Sequence, residues 1–172
     1  WQCDFEDLVF DSQGYVQLKQ VRVRPRGVNA RADILRIGML QVDLDRDLLH
    51  AEQRIVVRHV LIREPQVIAF RGPDGRWNWE GHDFPQSTSG VSPPLTIENG
   101  AVVVGIQQAD NAPVTEFRSE RIDAKLLPAA FRRYQGQVNL TIDGLGRLQA
   151  NGLVDANTGE WNLSGSTQTL QI

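Results

Sequence analysis

Apolar residues recur at every second position along most of the chain, and this period constrains the fold more than any other feature. It is clearest at residues 40–44 and 138–142, where leucine, valine and isoleucine alternate with polar residues. Side chains of a β-strand point alternately to the two faces of a sheet. The period therefore predicts strands with one apolar face and one polar face.

One predicted strand breaks this period. Val16 and Leu18 stand at even positions, whereas Val21 and Val23 stand at odd positions. A bulge between the two pairs would bring all four side chains to one face.

Turn-forming residues separate the apolar runs at short intervals. Pro, Gly, Asn and Asp supply the backbone conformations of tight turns. The segments are Pro25–Gly27, Gly72–Gly75, Glu98–Gly100, Asp143–Gly144 and Asn157–Gly159. They predict an antiparallel meander, which forms a curved or twisted sheet that is groove-like or sandwich-like, and not βαβ units.

Helix is scarce in this pattern. The segment 45–53 predicts a short helix that Asp47 could cap. The segment 122–133 predicts a second one, whose length Pro128 limits. The expected fold is therefore mainly β, with one or two short helices.

A connector rich in Ser, Pro and Gly at residues 87–94 divides the chain. We expect an N-terminal β region at 1–86 and a C-terminal β region at 95–172 that continues the same sheet. A short repeat supports the division, since Gly75–Gly81 resembles Gly159–Gly165 and each copy predicts a tryptophan at a strand start.

Composition indicates a folded domain whose modest net charge does not attract nucleic acid through bulk electrostatics, so we expect no nucleic-acid partner. The 172 residues are 41% hydrophobic and carry a formal net charge of −3. Positive charge is concentrated near the first strands, at Lys19, Arg22, Arg24, Arg26 and Arg31. We interpret this segment as a solvated strand face, and the alternative is a surface for anionic lipid head groups.

No catalytic or metal-binding motif is found in the sequence. The three histidines, His50, His59 and His82, lack the spacing of metal ligands, and Cys3 is the one cysteine. Asp43, Asp45 and Asp47 begin like a calcium loop, but Leu48 and Arg54 stand where such a loop needs glycine and glutamate. We therefore expect no enzyme activity, no cofactor and no metal; a carbohydrate-active sandwich is the least favoured function.

Two tryptophans follow the Asp74-Gly75 turn at a spacing of two. On a strand, Trp77 and Trp79 would place both rings on one face. They would act either as a hydrophobic plug at the end of the sheet or as interfacial anchors near lipid.

Several of these segments, taken in order, resemble the AsmA-like family. The first block runs from the strand at 35–44 through Glu64-Pro65-Gln66-Val67 to Asp74-Gly75-Arg76-Trp77-Asn78-Trp79. Residues 95–104 and 144–163 resemble two later strand motifs of the same family.

This resemblance implies a periplasmic module of a bacterial envelope protein that is anchored in the inner membrane. Such proteins form long curved sheets with an apolar inner face, linked to phospholipid movement and outer-membrane maintenance. The membrane helix that usually opens these proteins is not in this sequence, so we expect the anchor outside it. The family brings no catalytic residues.

Two functions follow from these expectations. In the first, an open apolar face binds phospholipid acyl chains. The candidate lipid-facing residues are Leu40, Val42, Leu44, Val102, Val104, Val138, Leu140 and Ile142. In the second, the chain is a scaffold or assembly module whose sheet edges pair with the rest of its parent chain or with a protein partner.

Overall fold

The computed structural model describes residues 1–26, 33–80, 92–109, 111–129, 133–142, 146–155 and 160–168. These residues form ten strands and one helix. In chain order they are β1 (Gln2–Asp4), β2 (Asp7–Asp11), β3 (Tyr15–Arg24), β4 (Leu35–Leu44), α1 (Arg46–Glu52), β5 (Val57–Arg71), β6 (Leu95–Ile106), β7 (Thr115–Ala129), β8 (Arg133–Ile142), β9 (Gly146–Asp155) and β10 (Trp161–Gln168).

All ten strands belong to one open sheet. From β3 to β10 each strand lies beside the next one in the sequence, and β1 and β2 both pair with β3. The sheet is curved and does not close into a barrel. The predicted mainly β fold, a mostly antiparallel curved sheet, is confirmed.

One pairing departs from the predicted meander, because β5 and β6 run parallel. Parallel neighbours need a connection that returns the chain to the starting end of the first strand, and residues 72–94 provide it. The connector predicted at 87–94 lies mostly outside the described residues. The predicted turn at Gly72–Gly75 is confirmed, since the Gly75 N–H donates to the Gly72 carbonyl at 3.0 Å.

The other predicted turns have different outcomes. Glu98–Gly100 was expected to be a turn, and this is wrong because it lies inside β6. Asn99 does have the expected positive φ, of 54°, but within a strand this conformation produces an irregularity and not a reversal. Asp143–Gly144, Asn157–Gly159 and the Gly27 end of Pro25–Gly27 lie outside the described residues.

The first predicted helix is confirmed as α1, with a different cap. Asp45, and not Asp47, is the N-cap, because its carboxylate accepts a hydrogen bond from the Leu48 N–H at 3.1 Å. Gln53 ends the helix in the left-handed conformation. No residue of α1 is buried, so this helix does not cover the sheet.

The helix predicted at 122–133 is wrong. Its described residues complete β7 and begin β8. Ile122, Ala124 and Leu126 alternate with polar residues at period two, and they pair with β6 on one side. Pairing with β8 on the other side fixes the strand, which tolerates Pro128 near its end.

The sheet is a single layer in the described part of the chain. Its buried apolar residues are few and mostly small: Val21, Ile34, Ile37, Ala69, Ala124 and Ala150. The chain exposes 12235 Å², whereas a compact monomer of 19.3 kDa exposes about 8,500 Å². A sheet that leaves both faces uncovered accounts for the excess.

An irregularity crosses the sheet from β3 to β7 at one level. We call Gln20, Gly38, Glu64, Asn99 and Arg121 the bulge row. The first four lie at matching positions of neighbouring strands, and Arg121 lies just beyond the Gly100–Ile122 pair that follows Asn99. All but the glycine have φ between 51° and 56°. The irregularity predicted between Leu18 and Val21 is thus confirmed at Gln20. The register of β3 with β4 is unchanged across it, because β4 is irregular at the same level.

At the bulge row, the apolar residues of a strand switch between even and odd residue numbers. Their side chains nevertheless stay on the same face of the sheet. Asn139 and Thr141 lie on the polar side of β8, and Glu120 pairs with Thr141. Ser119, the neighbour of Glu120, therefore lies on the apolar side, and so does its partner Val102. Each strand interrupts its two-residue alternation by one extra residue. The apolar face therefore remains continuous across the bulge row.

Candidate functional site

One face of the sheet is apolar across nearly its whole width, and we call it the apolar face. Residues that are register partners share a face, so a row of partners can be followed from strand to strand. One row runs from β2 to β9 through Leu8, Leu18, Leu40, Ile62, Ile97, Ala124, Val138 and Ala150. A second runs beside it through Phe10, Val16, Val42, Val60, Leu95, Leu126, Gly136 and Gly152.

The structure brings the predicted lipid-facing residues together on this face. Leu40 and Val138 belong to the first row, and Val42 belongs to the second. Leu44 ends β4 in the same phase, and Leu140 pairs with Leu148 in β9. The other candidates lie on the far side of the bulge row: Val102 and Val104 in β6, with Ile142 at the end of β8.

At β9 the two faces differ in how far neighbouring side chains shield a leucine. Leu148 and Leu153 show this within β9, because they are identical residues on opposite faces. Leu153 is 43% exposed, whereas Leu148 on the apolar face is half-buried. Since no second layer covers either face in the described residues, Leu148 is shielded by its own neighbours. At the β2 edge of the same face, Leu8 and Phe10 are 56% and 60% exposed.

Two glycines on the apolar face indicate the direction in which the sheet bends. A methyl group built on Gly152 would overlap the Asn162 carbonyl of β10, and one on Gly165 would lie 2.8 Å from the Gln149 carbonyl oxygen. In a flat sheet a Cβ points away from the neighbouring backbone. β9 and β10 therefore bend toward the apolar face, which lies on the inside of the curve at this end.

The opposite face, which we call the polar face, carries exposed ion pairs between neighbouring strands. Arg63 of β5 donates to Glu98 of β6 at 2.7 Å, and Arg133 of β8 donates to Asp155 of β9 at 3.2 Å. The same face carries uncharged polar residues, among them Gln41, Thr96, Gln137, Asn139, Gln149 and Asn151. This is the composition of a face in contact with water.

The basic segment near the first strands is paired with acidic residues. Lys19 contacts Asp7 at 3.0 Å and Arg22 contacts Glu6 at 3.4 Å, and Arg24 pairs with Asp4 in the same way. These contacts support the solvated-face interpretation for the three residues. Arg31 lies outside the described residues.

The aspartates and histidines considered as metal ligands have other contacts in the structure. The Asp45 carboxylate accepts from Leu48 and Arg58, and these two donors, the backbone N–H first, lower the pKa of Asp45. His59 lies 2.8 Å from the Thr96 hydroxyl and 3.5 Å from Asp43. Within the described part of the chain, no group of three or more His, Cys, Asp or Glu could hold a metal ion. His82 is not described.

The two tryptophans meet, although not on a strand. Trp77 forms an isolated bridge with Arg71, and Trp79 lies in the following turn. Their ring centroids are 5.1 Å apart with planes 6° from parallel, and the Arg71 guanidinium lies 6.0 Å from the Trp77 ring. The expectation of a shared strand face is wrong, because a turn brings the rings into a stack.

Asn78, between the two tryptophans, has a role that sequence reasoning missed. Its side-chain oxygen accepts from the Phe70 N–H at 3.0 Å, and its side-chain N–H donates to the Ile68 carbonyl at 2.9 Å. A side-chain amide thus takes the place of a neighbouring strand where the pairing of β5 with β4 has ended. The Trp-Asn-Trp sequence gave no signal of this, since the contact depends on where β4 stops.

Hollows in the described surface are shallow and lined mainly by polar side chains. The two next to the middle of β7 and β8 have volumes of about 420 and 360 Å³. Both lie among polar-face residues such as Asn139, which lines each of them. In the part of the chain that the structure describes, the apolar face is an open surface.

None of the described helices is long and apolar enough to cross a membrane. Comparison with models of protein families and with curated proteins finds no match to this chain. The function is therefore inferred from the two faces of the sheet and from the sequence resemblance.

Proposed function

We propose that this chain is a non-catalytic module of an AsmA-like envelope protein, and that its apolar face binds phospholipid acyl chains. One observation carries the proposal: an apolar surface runs from β2 to β9 and no described element covers it. Soluble monomers rarely leave so large an apolar surface without a ligand or a partner.

The size of this surface suits an acyl chain. From β4 to β8 the apolar rows cross five strands, or about 19 Å at the usual strand spacing. Transfer of about ten methylenes from water to such a surface contributes about 8 kcal/mol. The inward bend at β9 and β10 increases the contact between the surface and a chain that lies along it.

The cellular setting in this proposal comes from the sequence resemblance. An AsmA-like protein would place the module in the periplasm, with an inner-membrane anchor outside this sequence, and its work would be outer-membrane maintenance. An open curved sheet with one apolar face is what such a role requires, which supports the assignment.

A scaffold or assembly module is the second candidate, and one edge of the sheet favours it. β10 has neither a charged residue nor a proline, the usual features that prevent an edge from pairing with another strand. The opposite edge is interrupted between β1 and β2 and carries Asp4, Asp7 and Asp11. A partner strand would therefore add at β10.

Two measurements test the proposal. The first is lipid extraction from the purified chain followed by mass spectrometry, and the second is a fluorescent-phospholipid binding assay. We expect co-purified phospholipid and saturable binding. Val42→Asp and Leu140→Asp place a carboxylate on the apolar face, and each should reduce binding at least about tenfold because burying a charge is costly.

Gln137→Asp is the matched control, because Gln137 is exposed on the polar face of β8 and pairs with Lys125. Circular dichroism establishes that each variant keeps its strand content. Equal loss of binding in Gln137→Asp, or no lipid bound by the wild-type chain, would contradict the proposal. In the second case, concentration-dependent pairing through β10 would favour the scaffold.

A further inference from the structure

A hollow on the polar face lies where β7, β8, β9 and β10 run side by side. We call it the arginine hollow, and its volume is about 420 Å³. Asn139, Gln149 and Ser166 line it as register partners on three neighbouring strands. Thr141 and Arg147 form the next pair of partners, and Arg121 and Asp123 enter it from β7.

The carboxylates near this hollow are already engaged by other groups. Asp123 accepts a hydrogen bond from the Asn99 backbone N–H at 2.9 Å. Glu120, which lines a neighbouring hollow, pairs with Arg118 at 2.6 Å. Among the described residues, neither Arg121 nor Arg147 forms an ion pair. Two guanidinium groups therefore face one hollow with a single carboxylate, that of Asp123, so its lining has one more positive than negative charge.

Arg121 has an unusual backbone at this point. It belongs to the bulge row, with φ of 56°, and β7 has one more residue than β8 at this level. Because of the extra residue, Arg121 does not follow the regular alternation of β7. Arg121 lines one hollow on the β8 side of β7 and another on the β6 side.

We infer that the arginine hollow binds an oxyanion of the phosphate type. Guanidinium groups form paired charge-assisted hydrogen bonds with phosphate oxygens. Hydroxyls of Thr141 and Ser166, with amide N–H groups of Asn139 and Gln149, supply further donors around the same space. This site goes beyond the proposed lipid function, because it lies on the opposite face and does not depend on acyl-chain binding.

Titration of the chain with inorganic phosphate, followed by amide NMR at constant ionic strength with chloride as the balancing anion, tests the site. We expect saturable shifts centred on residues 139–141 and 147–149. Arg121→Gln and Arg147→Gln should each weaken binding about tenfold, the usual effect of removing a charged hydrogen-bond donor. Arg147→Lys should weaken it less, because the charge remains.

Arg133→Gln is the control, because Arg133 lies on the same face of β8 but pairs with Asp155 and lines a different hollow. Its phosphate affinity should match the wild-type value within about twofold. Amide spectra of each variant without phosphate establish that the sheet is intact. Shifts that do not saturate, or equal affinities in wild type, Arg121→Gln and Arg147→Gln, would overturn the inference.

Two further ligands identify the source of the phosphate. Glycerol 3-phosphate represents a soluble phosphate monoester, and phosphatidylcholine vesicles with and without phosphatidic acid represent a lipid head group. Arginine-dependent binding of the monoester alone supports a soluble ligand. Arginine-dependent binding that also requires phosphatidic acid in the vesicle supports a head group.

Discussion

The two faces of this sheet are built from the same strands and yet are different surfaces. On the apolar face, Leu148 is half-buried among other apolar residues and small residues such as Ala150. On the polar face, five residues further along the same strand, Leu153 is 43% exposed. Within β9, the side chain on the apolar face is therefore shielded by its neighbours, while the leucine on the polar face is largely open to water.

This comparison also indicates what stabilises the sheet. A second layer would normally bury the apolar face, but none is present in the described residues. Stability therefore depends on the hydrogen-bonded ladders and on contacts between side chains of neighbouring strands. Four substitutions, or pairs of substitutions, test this account, from the largest expected effect to the smallest.

The pair Gly136→Ala and Gly152→Ala should show the largest contrast. The two glycines are register partners on the apolar face. A methyl group at Gly152 overlaps the backbone of Asn162, whereas one at Gly136 meets the flexible end of Leu126. We expect Gly152→Ala to lower the free energy of unfolding by about 3 kcal/mol or more, and Gly136→Ala by about 1 kcal/mol.

Urea unfolding followed by circular dichroism measures both changes. Equal effects of the two alanines would mean that β10 does not bend toward the apolar face.

Ile62→Ala and Leu61→Ala compare the two faces at adjacent positions of β5. Ile62 lies between Leu40 and Ile97, whereas Leu61 lies between Gln41 and Thr96. Both side chains are half-buried, but only Ile62 has apolar partners on both neighbouring strands. We expect losses of about 2 kcal/mol for Ile62→Ala and less than about 1 kcal/mol for Leu61→Ala. A larger loss at Leu61 in the same urea assay would reverse the assignment of the faces.

The ion pair between Arg63 and Glu98 should contribute little, because both side chains are about half exposed. A double-mutant cycle of Arg63→Gln and Glu98→Gln should give a coupling energy below about 0.5 kcal/mol that decreases with added salt. A coupling energy that exceeds the loss in Ile62→Ala would show that the polar face, and not the apolar face, dominates stability.

The smallest effect concerns pH and the cap of α1. The Leu48 N–H and the Arg58 guanidinium lower the pKa of Asp45 in the folded chain. A lowered pKa in the folded state stabilises the fold above the usual aspartate range, and this stabilisation is lost as pH falls through the folded pKa. Asp45→Asn keeps a good capping residue but removes the charge.

Thermal unfolding should therefore give a higher Tm for wild type than for Asp45→Asn at neutral pH, and the gap should narrow near about pH 3. Asp47→Asn is the control, because Asp47 does not cap the helix. A gap that widens as pH falls would contradict this assignment.

The sequence predicts the alternating strands well and their irregular level less well. Residues 40–44 and 138–142 follow period two without interruption, so their faces could be assigned from the pattern alone. At Asn99 the same signal that predicts a turn produces a bulge, because a positive φ is compatible with both. A bulge is distinguished from a turn only by the irregularities of the four other strands in the bulge row. Those irregularities can be compared only after the strands have been aligned.

Long-range contacts were the other limit. The parallel pairing of β5 with β6 depends on the path of residues 72–94, and local pattern does not specify that path. Asn78 supports β5 only because β4 ends nearby, and Asp45 replaces Asp47 as the cap by a shift of two residues. Leu40, Val42 and Leu44 share a face by alternation within one strand, as do Val138, Leu140 and Ile142. Val102 and Val104 lie on the apolar face only because of the irregularity at Asn99, so their placement did not follow from the sequence.

Methyl NMR with a phospholipid that carries a nitroxide on its acyl chain tests the central claim most directly. If acyl chains lie on the apolar face, the methyl signals of Ile62, Ile97 and Leu140 should be strongly attenuated. Leu61 and Leu153, on the polar face of the same sheet, should keep their intensity. Equal attenuation on both faces, or stronger attenuation at Leu61 and Leu153, would contradict the account.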